Sequence, residues 1–234
     1  MSPTSRSAAG PELMLPGLRA VYAAYVREAA ALPSLPGPLE AEAWTSARLG
    51  DLESAAPHAQ GRRAALGDLI TCLAADGGPG SRAFLRALAA IGPAEGRRAA
   101  GRAADRLGDV PAAPWESALG QVVLGPVWLI QEGPLDGDRL ICEFRHRDAG
   151  PHALAVRLSP GGAPVEIVLV GDVPALMAAA RQAMRAELCT VQPYAPETAG
   201  HRLRAALRPD GPEPMPTACY PALALARHRA AVLP

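Results

Sequence analysis

The chain has 234 residues, 49% of them apolar but only 4% aromatic, with 23 basic and 23 acidic side chains and zero formal net charge. That length can bury a sizeable core without disulfide staples, and that apolar share excludes a disordered composition. A neutral balance argues against a dedicated nucleic-acid binder and permits association with a second copy or a protein partner.

Every basic residue is Arg, and Lys and Asn are absent. Such usage points to high-GC coding bias, so an Arg cluster here is weak evidence for binding. Ala buries little area. The core therefore has to come from close helix packing around Tyr22, Tyr25, Phe84, Trp115, Trp128 and Phe144. Cys72, Cys142, Cys189 and Cys219 form no CxxC pair and read as free, buried thiols. Leu13 to Leu32 is interrupted by Pro16, Arg19, Arg27 and Glu28, so no secretory core forms. The longest apolar run, Val122 to Ile130, contains Gly125-Pro126 and is too short to span a bilayer. The expected compartment is the cytoplasm, and no cofactor is implied.

In chain order, residues 1–12 are rich in Ser, Pro and Gly and are expected to be disordered. Leu18, Val21, Tyr22, Tyr25, Val26, Ala29 and Leu32 recur at helical spacing, and Pro33 to Pro38 ends that helix. Further helices are expected near 39–55, over 62–75, over 82–91 with Ser81 as N-cap, and from Pro93 to Leu107. After Pro111 to Trp115 the pattern turns to strands. Val127–Gln131, Arg139–His146, His152–Leu158 and Val165–Val170 are separated by turns at Leu135–Asp138, Asp148–Pro151 and Ser159–Gly162. Leu140, Cys142, Phe144, Leu154, Val156 and Leu158 mark the buried face. Asp172 caps a helix, Cys189–Gln192 is a short strand candidate, and helices follow at 196–207 and 220–233 around a Pro-rich linker, 208–216.

The expected fold class is α+β: a helical segment over 13–110, then a four-stranded antiparallel β-meander packed with C-terminal helices over 111–234. The two segments read as one continuous domain or as two. Ile141-Cys-Glu-Phe-Arg145, Pro151-His-Ala-Leu-Ala155 and Ala222-Leu-Ala-Leu-Ala-Arg227 give residues 115–234 a resemblance to uncharacterised conserved actinobacterial proteins. The resemblance supports this fold and implies no activity. Where those proteins carry a polar stretch after the second long strand, this chain has Ser159-Pro-Gly-Gly-Ala163.

Four constellations carry candidate chemistry. His146 and His152 flank a turn and would face each other at an exposed hairpin end. As metal ligands they would need a third partner, for which Asp148 is nearest, since Cys142 lies about 13 Å along the strand. Glu143, Arg157 and Glu166 would form a cross-strand charge ladder on the face away from Leu154, a candidate catalytic group for which a solvated sheet face is a sufficient explanation. Gly77 to Ser81 precedes a helix but lacks the spacing and Lys of a phosphate loop. Arg98, Arg102 and Arg106 line one helix face and are the candidate nucleic-acid contacts, with Arg82 and Arg86 on the preceding helix. No GxSxG, HExxH or GxGxxG occurs. The first expectation is a non-catalytic interaction or regulatory protein with a protein partner or a second copy. The alternative is a small enzyme with its site on the meander, and the third is a nucleic-acid-binding helical module.

Overall fold

The computed structural model describes residues 11–56, 58–133, 135–147, 149–209 and 215–234. Most of the N-terminal stretch, the centre of the 208–216 linker and Asp148 lie outside the described residues. Five helices come first: α1 (Arg19–Ala29), α2 (Pro38–Ala55), α3 (Ala59–Asp76), α4 (Pro79–Ile91) and α5 (Ala94–Asp105). Pro38 and Pro79 each occupy a first helical position, where a missing N–H costs nothing. Gly77, at φ 70°, closes α3 by donating its N–H to the Leu73 carbonyl.

Ser81 is not the cap of α4 but a buried residue inside it, donating to Asp76 at 2.7 Å. Pro79 starts the helix earlier than Ser81 suggests. Gly80 lets it press on α1, because a Cβ there would lie 2.2 Å from the Ala29 carbonyl oxygen. Tyr22, Leu69, Leu73, Phe84, Leu88 and Trp115 fill the core among these helices. Trp44 meets Phe84 edge-on at 4.8 Å.

The sheet then forms from β1 (Val122–Gly133), β2 (Gly137–His146), β3 (Pro151–Leu158) and β4 (Pro164–Val170). Next come α6 (Val173–Arg185), β5 (Thr190–Pro193), α7 (Pro196–Ala206) and α8 (Tyr220–Val232). All strand pairs are antiparallel, in the order β4-β3-β2-β1-β5. The architecture is α+β as expected, but the sheet has five strands, not four. The chain crosses one face of the sheet through α6 and returns on the far side of β1. The first strand also starts earlier than expected. Gly125-Pro126 reads as a break in sequence, but it forms a bulge between Leu124 and Val127. A proline is tolerated there because an edge bulge asks for no N–H.

Leu140, Cys142, Phe144, Leu154, Val156 and Leu158 are buried beneath α7 and α8. The opposite face is not the open charge ladder the alternation suggests. Ile130, Ile141, Ala153 and Ala155 occupy its centre, and α6 covers them with Val173, Met177 and Ala180.

One helix touches both cores. Leu223, Ala226 and Ala230 of α8 pack on the sheet, and Ala224 packs in the helical core. The α2 side is tight. Leu225 N–H donates to Ser46 Oγ at 3.1 Å, and a Cβ on Gly50 would lie 2.1 Å from the Tyr220 carbonyl oxygen. Arg227 clasps Glu53 through two bonds of 2.7 and 3.0 Å. All four cysteines are free, with Cys142 and Cys219 buried and the other two half-buried. Among the described residues, no helix is long and apolar enough to cross a membrane.

Candidate functional site

The largest concentration of polar chemistry lies where α2, the hairpin end of β2–β3 and α8 meet. Glu42, His146, His152 and Arg229 are each no more than 1% exposed. Arg229 projects from α8 and distributes its donors three ways. Nη2 pairs with Glu42 Oε2, Nη1 reaches His228 Nδ1 at 2.8 Å, and Nε reaches His152 Nε2 at 3.4 Å. A guanidinium has no acceptor. Both imidazole nitrogens facing it must therefore be unprotonated, and His152 and His228 are neutral. Glu42 Oε1 takes the Gly120 N–H at 2.7 Å and lies 3.2 Å from His146 Nε2. A carboxylate only accepts, so the His146 Nε2 facing it carries a proton, and among the described residues the buried Nδ1 of His146 has no partner. Phe144 closes one side, its ring 5.7 Å beneath the guanidinium carbon.

Electrostatics follow from this wiring. Burial, then the Arg229 charge, pushes His152 down to about 3 and His228 down to about 4. Burial alone would raise Glu42. The His146 hydrogen bond, the Arg229 charge and the Gly120 N–H outweigh it and hold the carboxyl at about 2. Burial pulls Arg229 below the usual guanidinium range, and Glu42 opposes that. The result is one buried ion pair, with Arg229 set among aromatic rings.

This arrangement corrects the expectation for the histidine pair. The register places His152 opposite Phe144, so His146 and His152 are diagonal neighbours and not directly opposed. Their rings stack at 5.2 Å and 24°. They are sealed under α8 and do not end an exposed hairpin. Arg229 supplies the cation that a metal would bring. Among the described residues, no three His, Cys, Asp or Glu side chains group to hold a metal ion.

The other candidates are not brought together. Arg157 faces Glu166 as the pairing predicts, at 3.8 Å, but the pair is 37% and 45% exposed. Glu143 pairs with Ala153, four residues along β3 from Arg157, or about 13 Å. The two histidines project from the opposite side of the sheet, since strand side chains alternate. Arg98, Arg102 and Arg106 are exposed along α5 and just beyond its end. Arg82 and Arg86 are drawn off that stripe. Arg82 donates to the Leu107, Gly108 and Val110 carbonyls, and Arg86 pairs with Asp105. Gly77–Ser81 serves as an interhelix joint.

Beside the cluster, at the start of β1, opens a groove of about 590 Å³. Its walls include Val122 to Pro126, Glu143, Arg145 and Arg147, and His146 lies at its inner edge. β5 pairs only with Trp128–Gln131, and the Tyr194 N–H extends this to the Val127 carbonyl. Among the described residues no strand lies beside Val122–Pro126 on that side. Val123 is 70% exposed there. The chain matches no protein-family model, no curated protein and no solved structure.

Glu42, His228 and Arg229 carried no local sequence signal. Glu42 and Arg229 are 187 residues apart, and in a chain whose only basic residue is Arg, a helical Arg reads as a solvating charge.

Proposed function

We propose that this is a non-catalytic, cytoplasmic interaction protein that binds an extended acidic segment of another polypeptide alongside the first half of β1. The observation that carries the reading is the half-filled lane beside β1. β5 occupies one half, and among the described residues the other half is a bare strand edge opening on a groove. An added strand would continue β5 and gain main-chain hydrogen bonds, as in other cases of strand addition. Among the described lining residues two exposed arginines, Arg145 and Arg147, stand against the one carboxylate of Glu143, which favours acidic side chains on the incoming segment. Against a catalytic reading, Glu42 and Arg229 are spent on each other and on their neighbours inside the fold, and the surface carboxylates stand apart from the histidines.

The test is selection of displayed linear peptides on the wild-type protein, with Val123→Glu as counter-bait. Val123 is exposed, so the substitution leaves the core intact and places a negative charge beside the lane. Acidic peptides of alternating pattern that bind the wild type and lose about ten-fold or more on Val123→Glu support the proposal. Peptides that bind both proteins equally would remove it. So would a concentration-dependent dimer abolished by Val123→Glu, because a second copy would then occupy the lane.

A further inference from the structure

A second cleft lies on the other side of α8, distinct from the lane beside β1. It measures about 460 Å³, within the range of small-ligand sites, and opens between α2, α3, the start of α5 and α8. Its floor is apolar and already buried by the fold: Leu49, Leu52, Leu66 and Ile91 are 1–6% exposed. Its rim is basic. Among its described lining residues four arginines stand against Glu53 and Glu95, and one of the four, Arg62, is already engaged.

The rim charges are not equivalent. Arg227 is spent, because Glu53 holds it by two bonds and its Nε donates to the Leu207 carbonyl at 2.8 Å. Arg97 is anchored through Nε to the Gly92 carbonyl at 2.6 Å, which fixes the guanidinium but leaves its charge without a carboxylate partner among the described residues. Arg63 is exposed at the mouth and is likewise unpaired among them. Glu95, also at the mouth, is the only lining carboxylate besides Glu53 among the described residues. The first turn of α5 adds to the field. Pro93 accepts from Gly96 and Arg97, which leaves the Ala94 and Glu95 N–H groups at the cleft without an intrahelical acceptor.

An apolar floor under a fixed cationic rim suits one kind of small molecule. We propose that this cleft binds an amphipathic anion, an alkyl or acyl chain bearing a carboxylate or phosphate head. The chain lies over Leu49, Leu52, Leu66 and Ile91, and the head meets Arg63 and Arg97.

Calorimetric titration of the whole 234-residue chain tests this with four probes below their micellar concentrations: decanoate, decyl phosphate, 1-decanol and acetate. Decanoate or decyl phosphate should bind saturably, one per chain, and the tighter of the two identifies the head group. Decanol, without the charge, and acetate, without the chain, should each bind about ten-fold more weakly or worse. Arg63→Glu should cost the anionic probes about ten-fold, and so should Ala59→Trp, which fills the mouth from an exposed position on the first turn of α3. Both variants alter exposed side chains, so unchanged thermal midpoints show that the fold is retained. Absence of saturable binding by either anionic probe overturns the proposal. Decanol binding as tightly as decanoate, or anionic binding indifferent to both substitutions, does the same.

Discussion

At the scale of single residues, the molecule stakes much on Glu42 and Arg229. Two opposite charges buried together stabilise a fold only weakly against an apolar pair, but removing one leaves the other stranded. Glu42→Gln should therefore cost about 3–5 kcal/mol in urea unfolding. Glu42→Leu combined with Arg229→Met should recover most of that loss, because no charge is left unpaired. Equal losses in the single and double variants would show that packing and not charge is at stake. The histidines add a pH dependence of definite sign. His152 and His228 have folded values of about 3 and about 4 against 6.5 when unfolded, so the unfolded chain takes up protons first. Their contribution is full above about pH 6.5 and is lost as the pH falls toward 4 and then 3. Glu42, at about 2 against 4.5, loses its share lower still, as the pH falls from 4.5 toward 2. The thermal midpoint should thus fall steadily from pH 7 to pH 4, and His152→Gln should flatten the slope. A midpoint flat from pH 7 to 5 would mean that these imidazoles are not held neutral. Of this site, only His146 and His152 were legible in the sequence, since a turn between two histidines is a local pattern. Their partners, Glu42 and Arg229, lie 104 and 77 residues away, and a single sequence carries no signal for that.

At the scale of elements, close approach is set by glycine where a side chain would collide with backbone. Gly50 and Gly67 sit in helical interiors with opposite surroundings. A Cβ at Gly50 would lie 2.1 Å from the Tyr220 carbonyl oxygen, and main chain cannot swing aside, so α2 and α8 would have to separate. Gly67 is exposed on α3 with nothing within 4 Å. Gly50→Ala should cost about 1–3 kcal/mol through overpacking. Gly67→Ala should stabilise by up to about 1 kcal/mol by removing backbone freedom from the unfolded chain. Thermal melts of the two variants should move in opposite directions, and a drop for both would contradict the open surroundings of Gly67. Elements with a clean period were legible: the alternation over β2 and β3 names the buried face residue by residue. What was not legible depends on neighbours. The first half of β1 hid behind Gly125-Pro126, because a bulge and a strand end look alike until a partner strand shows the offset register. The covering of Ile141, Ala153 and Ala155 by α6 was masked because charged residues alternate with them at either end of the same face.

At the scale of the whole molecule, the question is whether the helical half and the sheet unfold together, and α8 decides it. Leu223, Ala224, Leu225 and Ala226 are buried in succession, which a helix facing one partner does not do; such a helix is enclosed. Its Leu223 side belongs to the sheet core, its Ala224 side belongs to the helical core, and the buried ion pair is shared across it. Neither half can keep its wall if α8 leaves, so loss of one core should carry the other with it. The chain's tryptophans are well placed to report this: Trp44 and Trp115 sit with the helices, and Trp128 sits on β1 against the α6 side of the sheet. With 5-fluorotryptophan incorporated, their native fluorine resonances should vanish at one urea concentration. Leu223→Ala removes a side chain that packs only in the sheet core and should cost about 2–5 kcal/mol. In a single cooperative unit, that loss moves the midpoints of Trp44, Trp115 and Trp128 by the same amount. If Trp128 moves while Trp44 stays, the halves fold independently, and α8 rests against the helical half without holding it.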